Sequence, residues 1–256
     1  MLARSTQTLL AKLIDYAGLF PPAALSMEQA LANYRRYREG EHAWMLGRFV
    51  VPAAHAAEVP EDVPTSVIGV DELKAETEED IQRIASERRR PGGWPGGVPP
   101  PFVEITDLDL IENLAHHNLR AKIRTGGLTP DAFPSSVDIA NFMRKCASNG
   151  VAFKATAGLH HPLRCVRPLT YEPSAPTGTM HGFVNVFMAA AILPRAEAIL
   201  DDDDAGGFAF DDDTASWRGH AVLTDDLARL RENFAISFGS CSFEEPVKDL
   251  KELGWL

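Results

Sequence analysis

RAKIRTGGLTPDAFPSSVDIANFMRKCASNGVAFKATAGLHHPLR, residues 120–164, is the stretch that decides the fold. A short run ends in the turn Thr125-Gly126-Gly127, an amphipathic segment follows, and a second run ends in Thr156-Ala157-Gly158. Strand, turn, helix, strand, turn is one βαβ unit, the piece from which parallel sheets are built. Both strands carry cations where a buried strand should be apolar: Lys122 and Arg124 in the first, Lys154 in the second. Side chains alternate across a strand, so Lys122 and Arg124 share one face while Ile123 takes the other, and Phe153 points away from Lys154. The face turned toward the helix must be apolar. The lysines and Arg124 are therefore expected to point into whatever the sheet encloses.

The same rhythm extends both ways. Toward the N-terminus, Leu13–Phe20 reads as a strand, and Ser26 caps a helix to Glu39, with Gln29 at the capping-box position and Gly40 as its stop. Trp44–Pro52 and Ser66–Val70 read as strands, with Arg48 on the face of Leu46 and Val50, and Thr77–Arg88 as a helix. A Pro/Gly-rich loop at 88–101 leads to the strand Phe102–Thr106, with Glu104 inward, and to its helix Asp107–His117. Toward the C-terminus come an apolar helix Met180–Leu193, a faint strand Gly207–Phe210, a helix Leu223–Phe234, a strand Ala235–Ser240 and a closing helix Glu244–Leu253. The prolines between Val166 and Thr179 suit an active-site loop or lid.

Eight candidate strands alternating with helices over 256 residues fit an α/β fold, a (β/α)8 TIM barrel forming a single domain 1–256. An open doubly wound sheet is the competitor. Inward polar residues recur on separate strands (Arg48, Glu104, Lys122, Arg124, Lys154), and no glycine-rich nucleotide loop follows the first strand; both favour the barrel.

Hydrophobic residues at 45% and charged ones at 24% suit a globular protein with a substantial core. A net charge of -11 argues against nucleic acid as partner, yet leaves room for a local cationic pocket that selects small anions. Three cysteines without metal-type spacing point to a reducing compartment. The N-terminus reads as a helix and not a signal peptide, and the longest apolar run, Phe187–Pro194, is far too short to span a bilayer. These features predict a cytoplasmic protein without a membrane partner. The apolar Met180–Leu193 helix would suit a homo-oligomer interface.

Among the residues able to do chemistry, Lys154 stands first. Burial and the neighbouring cations Lys122 and Arg124 are expected to favour its neutral amine, the form that attacks a carbonyl. The competing reading is an interior ion pair with Glu104. Glu104 itself suits a general acid/base or a counter-charge to the lysines. His160 or His161 would move protons or hold a metal, unless both sit on an exposed rim, and Arg164 would grip a carboxylate or phosphate. Ser237, Gly239 and Ser240 follow the last strand, where barrels often place a phosphate. Asp15 and Arg48 would complete the polar ring.

Lys122-Ile123-Arg124-Thr125-Gly126-Gly127-Leu128-Thr129, a helix, and then Gly150-Val151-Ala152-Phe153-Lys154-Ala155-Thr156-Ala157-Gly158 resemble the deoxyribose-phosphate aldolase family. In that family a strand and Thr-Gly turn precede a Gly-Ala-Asp-Phe-Val-Lys-Thr-Ser-Thr-Gly-type strand whose lysine forms a Schiff base; the matching position is Lys154. The resemblance covers this βαβ unit alone. The family's second lysine on the next strand and its catalytic Asp have no match, so the resemblance implies class I aldolase architecture without deoxyribose phosphate as substrate. Lys122 would then serve as the second, pKa-lowering cation.

Three functions are therefore expected in competition. The first is a carbon–carbon lyase or aldolase using Lys154 on a small anionic carbonyl compound, with no cofactor. The second is a metal-dependent barrel in which Glu104 and His160 or His161 hold a divalent ion that stabilises an enolate. The third is a non-catalytic barrel that binds a small anion.

Overall fold

The computed structural model describes residues 2–88 and 99–256. Along the chain run α1 (Arg4–Leu10), β1 (Ile14–Tyr16), α2 (Met27–Arg38), β2 (Leu46–Pro52), β3 (Thr65–Ile68), β4 (Glu72–Lys74), α3 (Glu78–Arg88), β5 (Phe102–Glu104) and α4 (Leu110–His116). There follow β6 (Arg120–Arg124), α5 (Ser136–Ser148), β7 (Phe153–Thr156), β8 (Cys165–Pro168), β9 (Thr177–Met180), α6 (Phe183–Ala191) and α7 (Ala196–Asp201). The chain ends with β10 (Phe208–Phe210), β11 (Thr214–Trp217), β12 (His220–Leu223), α8 (Thr224–Asn233), β13 (Ala235–Ser240) and α9 (Glu244–Glu252).

Strands β1 to β7 pair in sequence order, and β13 closes the ring between β7 and β1, all in parallel. The fold is a closed eight-stranded α/β barrel of the TIM type. The βαβ unit at its centre forms for the reasons its sequence announces. The Ser135 hydroxyl accepts the Asp138 N–H while the Asp138 carboxylate reaches back to Ser135, a capping box that starts α5. Ile139, Phe142, Met143 and Cys146 then fall at helical spacing and are buried. Phe142 meets Phe153 of β7 edge-on, with ring centres 5.6 Å apart. That contact fixes Phe153 outward, and parity sends Lys154 inward.

The eight strands are not the eight expected. Glu72–Lys74 enters the barrel as β4, joined to β3 by only Gly69–Asp71 with no helix between them. Gly207–Phe210 was expected in the barrel; its last three residues instead pair antiparallel with β11, in a three-stranded sheet outside the ring. The proline-bearing stretch 166–179 lies within a hairpin made by β8 and β9. Residues 89–98 of the expected Pro/Gly-rich loop at 88–101 lie outside the described residues.

The helix expected from Met180 begins at Phe183, and it is buried within the chain: Phe183 stacks on Phe238 of β13 at 5.1 Å. It therefore offers no free apolar face for a subunit contact. Among the described residues no helix is long and apolar enough to cross a membrane.

Candidate functional site

Strand β6 places Arg120, Lys122 and Arg124 on one face, and register sets Glu104, Lys122 and Lys154 abreast on β5, β6 and β7. The inner face of the barrel thus gathers charge at one level. Lys154 Nζ lies 2.6 Å from Glu72 Oε1 and 2.8 Å from Asp15 Oδ2. Lys122 Nζ lies 3.1 Å from Glu72 Oε2 and 3.0 Å from Glu104 Oε2. The Ser66 hydroxyl donates to Glu72 and the Ser237 hydroxyl to Asp15, both at 2.7 Å. Asp15 also accepts the Arg48 backbone N–H at 2.8 Å. A Cβ at position 47 would run into the Asp15 carboxylate, so Gly47 leaves the room in which Asp15 sits.

Two ammonium groups face three carboxylates in this network, and Lys154 is only 1% exposed. Burial alone would lower the Lys154 amine, but Asp15 and Glu72 outweigh it and raise the pKa. This reverses the expectation of a neutral lysine among cations. Of the two carboxylates that set the sign, Asp15 has the larger effect, and Glu72 lies on β4, which was not among the expected strands. Burial alone would likewise raise Glu72, yet Lys154 and Lys122 hold its carboxyl at about 2. Glu104 pairs with Lys122, and the expected Lys154–Glu104 ion pair is replaced by Lys154–Glu72.

The network is the floor of a cavity of about 580 Å³ that opens at the C-terminal ends of the strands. Lys154, Lys122, Glu72 and Glu104 line its depth, Arg124, Lys74 and His160 its polar wall, and Leu128, Leu169 and Met180 its apolar one. Arg124 has no carboxylate within ion-pair distance among the described residues, which leaves its guanidinium available to an anionic group at the mouth. The Gly turns that end β6 and β7 shape the rim. Gly158 has φ +72° and a Cβ there would crowd Gly126, so the two turns touch backbone to backbone.

The remaining expected residues divide by height in the barrel. Gly239 lines the same cavity, whereas Ser237 faces the opposite end and Ser240 is buried, its hydroxyl accepting the Ser242 N–H. Arg48 also lies at the N-terminal end. His161 is paired with Asp249 of α9 at 2.5 Å, and Arg164 lies 3.6 Å from Asp201; neither lines the cavity. The metal arrangement expected from Glu104 with His160 or His161 is not assembled: each of the three has a different partner, and among the described residues no group of three His, Cys, Asp or Glu side chains is placed to hold a metal ion.

His160 Nδ1 sits 3.3 Å from Glu245 Oε2 and 4.0 Å from Cys241 Sγ, and Tyr171 from the β8–β9 hairpin donates to the same Glu245 at 3.0 Å. Burial alone would lower the imidazole, but Cys241 and Glu245 outweigh it and hold it up at about 9. A histidine raised above its ordinary value stabilises the fold fully below pH 6.5 and loses that contribution as pH rises through 9. The stability advantage of the wild type over His160→Gln should thus be widest near pH 6. It should be on the order of 2 kcal/mol there, discounted because Glu245 is partly solvated, and should close toward pH 9.5 in urea titrations. A gap that does not change with pH would show that His160 binds its proton equally in the folded and the unfolded chain.

Against known proteins the chain matches no family model and no curated protein. The fold and site together define a TIM-type barrel with a lysine–carboxylate network at the base of its C-terminal cavity. The likeness to deoxyribose-phosphate aldolases rests on the residue 122–158 segment alone.

Proposed function

We propose that this protein is an aldolase- or lyase-type enzyme that acts on a small anionic carbonyl compound through an imine at Lys154. The observation that carries the reading is the seat of Lys154: fully enclosed by protein, at the base of an open cavity, with two carboxylates within proton-transfer distance. In the free protein the amine is held as ammonium. When a carbonyl group enters, Glu72 or Asp15 accepts one proton and the neutral amine attacks the carbonyl carbon. A C–N bond forms as the C=O π pair moves to oxygen. The same carboxyl group returns its proton to that oxygen, then takes a second proton from the nitrogen and delivers it to the hydroxyl, so that water leaves as the protonated imine forms. A carboxylate then takes the proton of the β-hydroxyl, the Cα–Cβ bond breaks with its electron pair moving toward the protonated imine, and the β fragment leaves as a carbonyl compound. That carboxyl group protonates the remaining enamine at Cα, and addition of water to the imine restores the amine. Lys122 shares Glu72 and Glu104, so it balances whichever carboxylate is charged. Arg124 would hold the substrate anion at the mouth, and His160 supplies a protonated group on the rim.

One observation favours a second reading. Because Asp15 and Glu72 keep the amine protonated, Lys154 is also suited to stabilise an enolate by charge, without bonding to substrate. Reductive trapping separates the two. Incubation with pyruvate or glycolaldehyde phosphate and sodium borohydride should add the reduced carbonyl fragment to the tryptic peptide containing Lys154. Label on Lys122 alone would transfer the nucleophile's role to that residue. Turnover of either compound without any label would exclude the imine and leave the charge-stabilising role.

A further inference from the structure

The barrel is open at its other end as well. Below the lysine network lies a cavity of about 980 Å³ bounded by the N-terminal ends of the strands, with Lys154 and Asp15 as its roof. Five cationic side chains from outside the network line it, and three of them are accounted for or free in solvent. Arg231 donates to the backbone carbonyls of Leu9, Ala11, Ala235 and Ile236, Arg38 pairs with Asp62 at 3.0 Å, and Lys12 is an exposed lysine at a turn. Arg48 and Arg120 remain.

Neither has a carboxylate within ion-pair distance among the described residues. Both are held in place. Arg48 Nη1 donates to Thr65 O at 3.0 Å. Arg120 Nε donates to Pro100 O at 2.6 Å, and its guanidinium lies 3.7 Å from the Phe102 ring centre. Among the described residues, that leaves both Nη groups of Arg120, and one of Arg48, without a protein acceptor. Burial and then the nearby Arg48 push the Arg120 guanidinium down to about 10. Asp71, Asp15 and Glu72 oppose the repulsion from Arg48, and Asp71 and Asp15 also line the cavity, but among the described residues no carboxylate comes within ion-pair distance of either guanidinium. Arg48 is exposed, whereas Arg120 is half-buried and fixed over an aromatic ring with its Nη groups reaching the solvent of the cavity, where an anion can replace water. In a chain with net charge -11, such a pair is not a by-product of overall basicity.

We propose that the N-terminal end of the barrel is a second binding site, for a phosphate group, clamped between the guanidiniums of Arg48 and Arg120. A tetrahedral oxyanion offers oxygens to two forks at once, which suits arginine better than any single carboxylate contact. The cavity is far larger than one phosphate ion, so it also accommodates a phosphorylated small molecule.

The test is isothermal titration of the full chain at constant ionic strength, with inorganic phosphate and with glycerol 3-phosphate as probes and chloride as the control. Saturable binding is expected, with one component weakened at least tenfold in Arg48→Gln and in Arg120→Gln but retained in Arg124→Gln, which loses only the anion contact at the C-terminal mouth. Tighter binding of glycerol 3-phosphate would identify a phosphorylated metabolite as the occupant, and equal binding free phosphate. Arg120→Gln removes packing on Phe102, so its circular dichroism is checked against wild type; Arg48→Gln, an exposed position, carries the test if Arg120→Gln unfolds. Loss of binding in Arg124→Gln alone, or equal weak binding in every variant, would overturn the proposal. Because trapping at Lys154 requires neither Arg48 nor Arg120, failure here leaves the imine chemistry untouched, and the reverse also holds.

Discussion

Lys154→Met should abolish borohydride-dependent labelling and lower turnover by at least about 1,000-fold, the scale on which loss of a covalent nucleophile is read. It should also destabilise the protein at pH 7 by about 3–5 kcal/mol, because Asp15 is left buried with no ammonium partner among the described residues and Glu72 with only the shared Lys122. The two losses have different origins, and pH separates them. In wild type, Glu72 is held at about 2, so its stabilising contribution is present above its ordinary value of 4.5 and is lost as pH falls through 2. Without Lys154 the Glu72 carboxyl should take up its proton at higher pH, so the stability gap to wild type should shrink from pH 7 to pH 4.5. Lys154→Arg sharpens the distinction. It keeps the positive charge but has no nucleophilic amine, so it should recover part of the stability and none of the label or turnover. Full turnover in Lys154→Met would remove Lys154 from the chemistry, and full turnover in Lys154→Arg alone would leave it only the charge-stabilising role. A stability gap that stays constant with pH would show that the two carboxylates do not depend on it.

What the sequence disclosed, and what it withheld, follows from the range of each physical signal. The parity that turned Lys122, Arg124 and Lys154 inward is local, and the barrel keeps it. The cap at Ser135 and the apolar stripe of α5 are local too, and both are present. Parity gives a face but not a height. Arg48, Ser237 and Gly239 all belong to inward positions, yet only Gly239 reaches the C-terminal cavity. Gly207–Phe210 had the composition of a strand, but composition does not name a partner, and its partner is the antiparallel β11 outside the ring. Glu72 was the costliest omission. Its strand is three residues long and follows β3 after a three-residue connection, so no helix signals its start. The available clue was alternation: Glu72-Leu73-Lys74 repeats the charged–apolar–charged pattern of Lys122-Ile123-Arg124. The sign of the Lys154 shift was beyond local reading, because Glu72 and Asp15 lie 82 and 139 residues away along the chain.

Glu72→Gln should be the most damaging of the carboxylate substitutions, since Glu72 alone touches both lysines while Asp15 and Glu104 each touch one. The amide keeps the shape and the Ser66 contact but brings N–H groups toward two ammonium ions. About 3–5 kcal/mol should be lost in urea unfolding at pH 7, more than for Asp15→Asn or Glu104→Gln. The kinetic effect should be distinct from this cost. Removing one of two proton acceptors beside Lys154 should slow imine formation by roughly 100-fold, the usual weight of a positioned acid/base group, without moving the label off Lys154. Raising the pH should recover part of that rate. With Glu72 gone the amine loses a counter-charge, its pKa falls, and hydroxide then takes the proton the missing carboxylate would have accepted. Asp15→Asn should show the same recovery, because Asp15 is the other acceptor at Nζ. A labelling rate in Glu72→Gln equal to wild type would make Glu72 a counter-ion only and pass the proton-transfer role to Asp15.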